Sequence, residues 1–173
     1  EETGKPLVDV ILDKAGQKGT GKWMSINALD LGSPIPTITA AVDGRILSSQ
    51  KDERVNAAGI LTGPKKEYKG ESAQKLIDAV RDALYASKIC SYAQGMSLLK
   101  RASEEYNYNL DMGTIAKIWR AGCIIRARFL NDITNAYNRN KELPNLLVDG
   151  EFQKTINVRQ VAWRSVIKTA IDL

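Results

Sequence analysis

Between about Ser72 and about Ala102 the chain carries one unbroken helical period. Leu76, Val80, Ala83, Leu84, Ser87, Ser91, Gly95 and Leu98 share a face. A helix of that span is about 45 Å long at 1.5 Å per residue, so the remaining chain has to be arranged around it. Ala83, Ser87, Ser91 and Gly95 recur every four positions, which predicts that another helix comes close to its backbone.

The rest of the sequence reads the same way. Asp111 is an N-cap candidate for a second long helix through Ile115, Ile118, Trp119, Gly122, Cys123, Ile125, Phe129, Leu130 and Ile133, enclosed on several faces around Gly122. A third helix is expected from about Pro36 to about Leu61, with Ile38, Ala41, Val42, Arg45, Ile46 and Ser49 on one side and a cost of about 1 kcal/mol at Gly44. Val158, Val161, Val166, Ile167, Ala170 and Ile171 trace a final helical stripe, and Thr62 to Ser72 is a polar loop. Leu7 to Leu12 fits either a strand or the first turns of a helix, and no alternating strand pattern follows residue 20. The expectation is a single all-α domain over residues 1–173. Because the chain starts at Glu1 and its last apolar stripe stops at Leu173 without a closing glycine or asparagine, it reads as a fragment truncated at both ends.

Composition narrows the chemistry. With no histidine, a histidine base or histidine-ligated metal has no residue to use, and Cys90 and Cys123, set in apolar helical patterns, read as free buried thiols. No metal site is expected. The net charge of +5, from 25 Lys and Arg against 20 Asp and Glu, favours anions. The basic residues are interleaved with acids, as in Lys51-Asp52-Glu53-Arg54, so nucleic acid is not the expected partner. Neither a bilayer-spanning run nor a signal peptide is present, which points to a cytoplasmic chain with no membrane partner.

The chemistry-bearing stretch is Gly16-Gln-Lys-Gly-Thr-Gly-Lys-Trp23. It follows the phosphate-loop pattern G-x-x-x-x-G-K until Trp23 takes the place of the Ser or Thr that would ligate magnesium, and no later strand ends in an acid. What remains is an anion nest or a lysine-bearing turn: Gly16, Gly19 and Gly21 free the backbone, Lys18 and Lys22 bring charge, Thr20 a hydroxyl, and a helix is expected to start near Trp23.

Taken together, Lys18-Gly-Thr-Gly-Lys-Trp23, Ala28-Leu-Asp-Leu-Gly32, Ser48-Ser-Gln-Lys-Asp-Glu-Arg-Val55, Ala83 to Gly95, Arg101-Ala-Ser-Glu-Glu-Tyr106 and Ile115 to Arg126 resemble the decarboxylating 6-phosphogluconate dehydrogenase family. The likeness runs in order over essentially the whole chain and corresponds to the middle of that family's helical C-terminal domain. It implies an enzyme that oxidises 6-phosphogluconate with NADP to ribulose 5-phosphate and carbon dioxide in the pentose phosphate pathway, and a homodimer. Its general-base lysine, general-acid glutamate and dinucleotide-binding domain would lie upstream, and a tail reaching the partner subunit downstream. The resemblance thus implies no catalytic and no cofactor-binding residue within this chain, which is expected to be inactive alone.

Residue by residue, the resemblance assigns the substrate phosphate to Lys18, Thr20 and Arg45. Asp43 and Gly44 stand where the family has an apolar and a small helix-favouring residue, an exchange expected to loosen the helix and set a negative charge near Arg45. Met24 replaces a hydroxyl residue. Two alternatives are a small P-loop phosphotransferase, marked by magnesium-dependent stabilisation by ATP, and a basic helical nucleic-acid module, marked by salt-sensitive binding.

Overall fold

The computed structural model describes residues 3–63, 67–70 and 72–173. Pro64, Lys65, Lys66 and Glu71 of the expected polar loop lie outside them. All regular structure among the described residues is helical. The ambiguous stretch near the start is a single helical turn, α1 (Leu7–Val10). Then follow α2 (Thr20–Asp30), α3 (Pro36–Ser49), α4 (Lys51–Ile60), α5 (Ala73–Glu105), α6 (Met112–Ile118), α7 (Leu130–Arg139), α8 (Gly150–Asn157) and α9 (Gln160–Asp172). None of these helices is long and apolar enough to cross a membrane.

The long helix forms as its period requires. Ser72 caps it, its hydroxyl accepting from the Lys75 N–H at 3.1 Å, and the 33 residues of α5 run without interruption. Its buried residues are Ala83, Ala86, Ile89, Ala93, Met96 and Leu98; Ala83 and Leu98 belong to the expected face, while Leu84 of that face is exposed. Neighbours lie on more than one side of α5, so the choice of face rests with them. Ile89, Ala93 and Met96 meet Met112, Ala116, Phe129, Leu130, Ile133, Leu146 and Phe152 in the main core. Phe129 is its centre: Tyr85, Tyr92 and Phe152 meet its ring edge-on at centroid distances of 5.8, 4.9 and 6.5 Å. α9 lies along α5 with Val161 and Ile171 facing outward.

The second long helix expected from Asp111 to Ile133 does not form as one piece. Asp111 is the N-cap, its carboxylate accepting from Thr114 N–H at 2.6 Å, but α6 stops at Ile118. The chain turns at Gly122, in the left-handed region with φ +64°, and resumes as α7. Gly122 lies in the turn between α6 and α7 rather than inside a helix, and Ile124 and Ile125 beside it are exposed rather than enclosed. Cys90 and Cys123 are free and only half-buried; burial still pushes the Cys90 thiol above its ordinary pKa.

The third expected helix is likewise two, divided at Gln50. Two carbonyls there are taken by side chains: Ser49 Oγ donates to Ile46 O at 2.7 Å, and Arg54 Nη2 to Ser48 O at 3.0 Å. α3 does run unbroken through Asp43 and Gly44. A Cβ built on Gly44 meets nothing within 4 Å, so Gly44→Ala is expected to raise stability by about 0.5–1 kcal/mol, read as a higher denaturant midpoint at unchanged slope.

α2 and α3 dock on the flank of α5. Ala28, Ile35 and Leu98 form a second small core with Met24, Leu31 and Ile38 packed against it. Gln94 of α5 fastens the start of α3, accepting from Thr37 N–H at 3.0 Å and donating to Thr37 Oγ1 at 2.9 Å.

Candidate functional site

The glycine-rich loop leads directly into α2, which begins at Thr20, slightly earlier than expected. Its N-cap, Gly19, has φ +108°, a conformation open to glycine and strained for any other residue, and no side chain caps the helix. The first amide with an acceptor is that of Trp23, bonded to Gly19 O at 2.9 Å. The N–H groups of Thr20, Gly21 and Lys22 therefore have no acceptor among the described residues, and they sit at the positive end of the helix dipole. The Trp23 ring covers Gly19: a Cβ there would stand 3.3 Å from its Cζ2. With helical structure alone around it, the loop lacks the strand a nucleotide P-loop is built on.

Lys18 and Thr20 flank Gly19, both exposed. Arg45 comes from the next helix, and its Nη1 donates to the Gly16 carbonyl at 3.3 Å, which brings its guanidinium to the loop across 29 residues of sequence. Close packing of α2 on α3 makes this possible. A Cβ on Gly21 would lie 2.7 Å from Val42 Cγ2, and Val42 is a turn before Arg45 on α3. Gly21→Ala is expected to push α3 outward and cost about 1 kcal/mol net, overpacking outweighing the gain in helix propensity. Thermal unfolding of Gly21→Ala and of the double variant Gly21→Ala/Val42→Ala checks it, the second recovering most of the loss. Lys18, Thr20 and Arg45 are all exposed, and a hollow of about 610 Å³ lies apart from them against Lys100, Asn107 and Asp111. The candidate site is an open surface nest.

Reading the sequence left out two residues that shape this loop. Ser48 Oγ accepts the Ala15 N–H at 2.9 Å. Arg54 donates from Nη1 to Asp13 Oδ2 and from Nη2 to Asp13 O, each at 2.9 Å. The pairing holds the Asp13 carboxyl below its usual pKa, the hydrogen bond from Arg54 acting first and its charge second. Both lie in the quoted stretch from Ser48 to Val55, but nothing in their local pattern points back to the loop. Arg120, Arg126 and Arg128 line a separate hollow with Asn131.

Fold and loop define a class: an all-helical domain around one long helix, with a glycine-rich turn opening onto an uncapped helix start and an arginine drawn up beside it. Comparison with known proteins identifies the family. The family model described as 6-phosphogluconate dehydrogenase, C-terminal domain, matches residues 1–173. Relatives include the NADP(+)-dependent, decarboxylating 6-phosphogluconate dehydrogenase of Bacillus subtilis, 58% identical over 99% of this chain and 36% of its own length. The decarboxylating 6-phosphogluconate dehydrogenase of Synechococcus elongatus is 58% identical over 98% of this chain and 36% of its own. A solved structure of the Plasmodium falciparum 6-phosphogluconate dehydrogenase, described in apo form and in complex with NADP+ and with 6-phosphogluconate, superposes with a TM-score of 0.86 at 42% identity, covering 95% of this chain and 36% of that one. The chain belongs to the 6-phosphogluconate dehydrogenase family and corresponds to its C-terminal domain. It spans about a third of the length of the relatives it matches.

Proposed function

We propose that this chain is the phosphate-holding part of a decarboxylating 6-phosphogluconate dehydrogenase, in which Lys18, Thr20 and Arg45 bind the substrate's phosphate. The observation that carries the reading is the Arg45 guanidinium bonded to the Gly16 carbonyl of the loop that leads into the open amides of Thr20, Gly21 and Lys22. Phosphate carries about two negative charges at neutral pH and accepts several hydrogen bonds. Backbone amides, a hydroxyl and two cations are suitable donors for it. Lys18 and Arg45 would neutralise charge, the amides and Thr20 would orient the oxygens, and the sugar-acid end would extend away from the nest. NADP would supply the hydride acceptor in the whole enzyme. A dinucleotide calls for a strand–glycine turn–helix unit, and the described residues form no strand, so they do not fit NADP and no oxidation step is assigned to them.

The test is a titration of the chain with 6-phosphogluconate, gluconate and inorganic phosphate, following the Gly19 and Gly21 amides by NMR. The phosphorylated ligands are expected to move them with dissociation constants of roughly 1 mM, since the loop supplies only part of a full set of contacts, and gluconate to leave them in place. Equal response to gluconate would overturn the assignment.

The same reading makes the chain a cytoplasmic homodimer without nucleic-acid or membrane partners. The supporting feature is exposed apolar surface at Leu84, Ile118, Ile124, Val158, Val161 and Ile171. Light scattering at high micromolar concentration is expected to give twice the chain mass, and a monomer would count against it.

A further inference from the structure

We propose that Arg54 is a positioning residue for the glycine-rich loop: by clamping Asp13 to the end of α3 it presets the backbone that carries Lys18 and Thr20, without itself touching the anion. This rests on the phosphate-site reading above. Residues 12–18 have no regular secondary structure, so the path of the loop depends on its tethers. These come from α3 and α4. Arg54 binds Asp13 through both carboxylate and carbonyl, and ties the pair to Ser48 O at 3.0 Å. Ser48 Oγ takes the Ala15 N–H, and Arg45 takes the Gly16 carbonyl. Successive points of the segment entering the nest, Asp13, Ala15 and Gly16, are thus held by residues at the end of α3 and the start of α4.

The Arg54 fork is central to this. One planar guanidinium reaches a carboxylate and two carbonyls belonging to separate segments, and its Nε is buried without a partner, so the Nη bonds alone set its orientation. A lysine ammonium keeps the charge but not the fork. Without the clamp, Gly16 and Gly19 leave the loop many conformations, and ordering it at the moment of binding lowers affinity.

The experiment uses inorganic phosphate on the 173-residue chain at constant ionic strength with chloride as control. Arg54→Ala and Arg54→Lys are each expected to weaken phosphate binding about fivefold, with the unfolding midpoint little changed because Arg54 is not part of the main core. In a Lys18→Ala background the Arg54→Ala effect should shrink to less than about twofold, because the group whose placement it controls is gone. Ser48→Ala, which removes the Ala15 tether and no charge, should weaken binding about twofold and serves if Arg54→Ala does not fold. Full affinity in Arg54→Lys would reduce the effect to charge and overturn the proposal, as would an equal factor in both Lys18 backgrounds. If Arg45→Ala weakens binding and the Arg54 variants do not, positioning fails and the phosphate site stands. If Arg45→Ala also has no effect, the site reading fails and this inference with it.

Discussion

Replacing Arg45 by alanine is expected to weaken inorganic phosphate binding about five- to tenfold, the largest loss of any single side chain in the nest. A charge-assisted hydrogen bond contributes about 1.5–3 kcal/mol when shielded, and an exposed group is discounted for screening, which leaves about 1–1.4 kcal/mol. Arg45 also loses its bond to Gly16, so ligand and tether disappear together. Lys22→Ala should have a smaller effect, since the resemblance assigns Lys22 no contact. Isothermal phosphate titration of both variants decides it, and a larger loss for Lys22→Ala would move the site.

The largest stability change is expected at Asp149, 7% exposed and placed where α7, the turn at Leu146–Val148 and α8 meet. Its carboxylate caps α8 through the N–H groups of Glu151 and Phe152 at 3.1 and 3.4 Å and accepts from Arg139 Nη2 at 2.6 Å. Burial raises its pKa, yet the hydrogen bonds from Arg139, Phe152 and Glu151 prevail, and the net effect holds it below the usual carboxylate range. Asp149→Ala removes the cap and leaves those donors without it, at a cost of about 2–4 kcal/mol. Asp149→Asn retains a capping oxygen and should lose less. A depressed folded pKa means the contribution is complete above the unfolded value near 3.8 and is lost as pH falls through the lower folded one. Asp111, lowered by its bond from Thr114, acts in the same direction. Denaturant midpoints measured from pH 6 to pH 2 should therefore drop below about pH 4 in the parent chain, with a shallower drop in Asp149→Ala. An equally steep drop in both would place the acid sensitivity elsewhere.

Gly19 and Gly21 show how far a local signal goes. Their number and spacing predicted a glycine-rich turn, either an anion nest or a lysine-bearing turn, and a turn is there, with Gly19 left-handed and α2 opening beside it. That Gly21 is needed for contact with Val42 was not legible, because the constraint comes from another helix. Lys18, Thr20 and Arg45 entered through a family likeness rather than from spacing. The structure draws Arg45 to the loop, and the phosphate itself is left to the titration.

Helix existence, the caps at Ser72 and Asp111 and the glycine turn follow from interactions within a few residues, so the amino-acid order alone specifies them. The breaks at Gln50 and Gly122 do not. A glycine reads alike inside a helix and just past its end, and the left-handed turn at Gly122 accompanies the seating of Phe129 among Tyr85, Tyr92 and Phe152. Ser48 loses its carbonyl to Arg54, which is turned toward Asp13, 41 positions away. The buried face of α5 and the path of the phosphate loop were decided in the same way, by partners distant in sequence whose contacts exist only once the helices are packed.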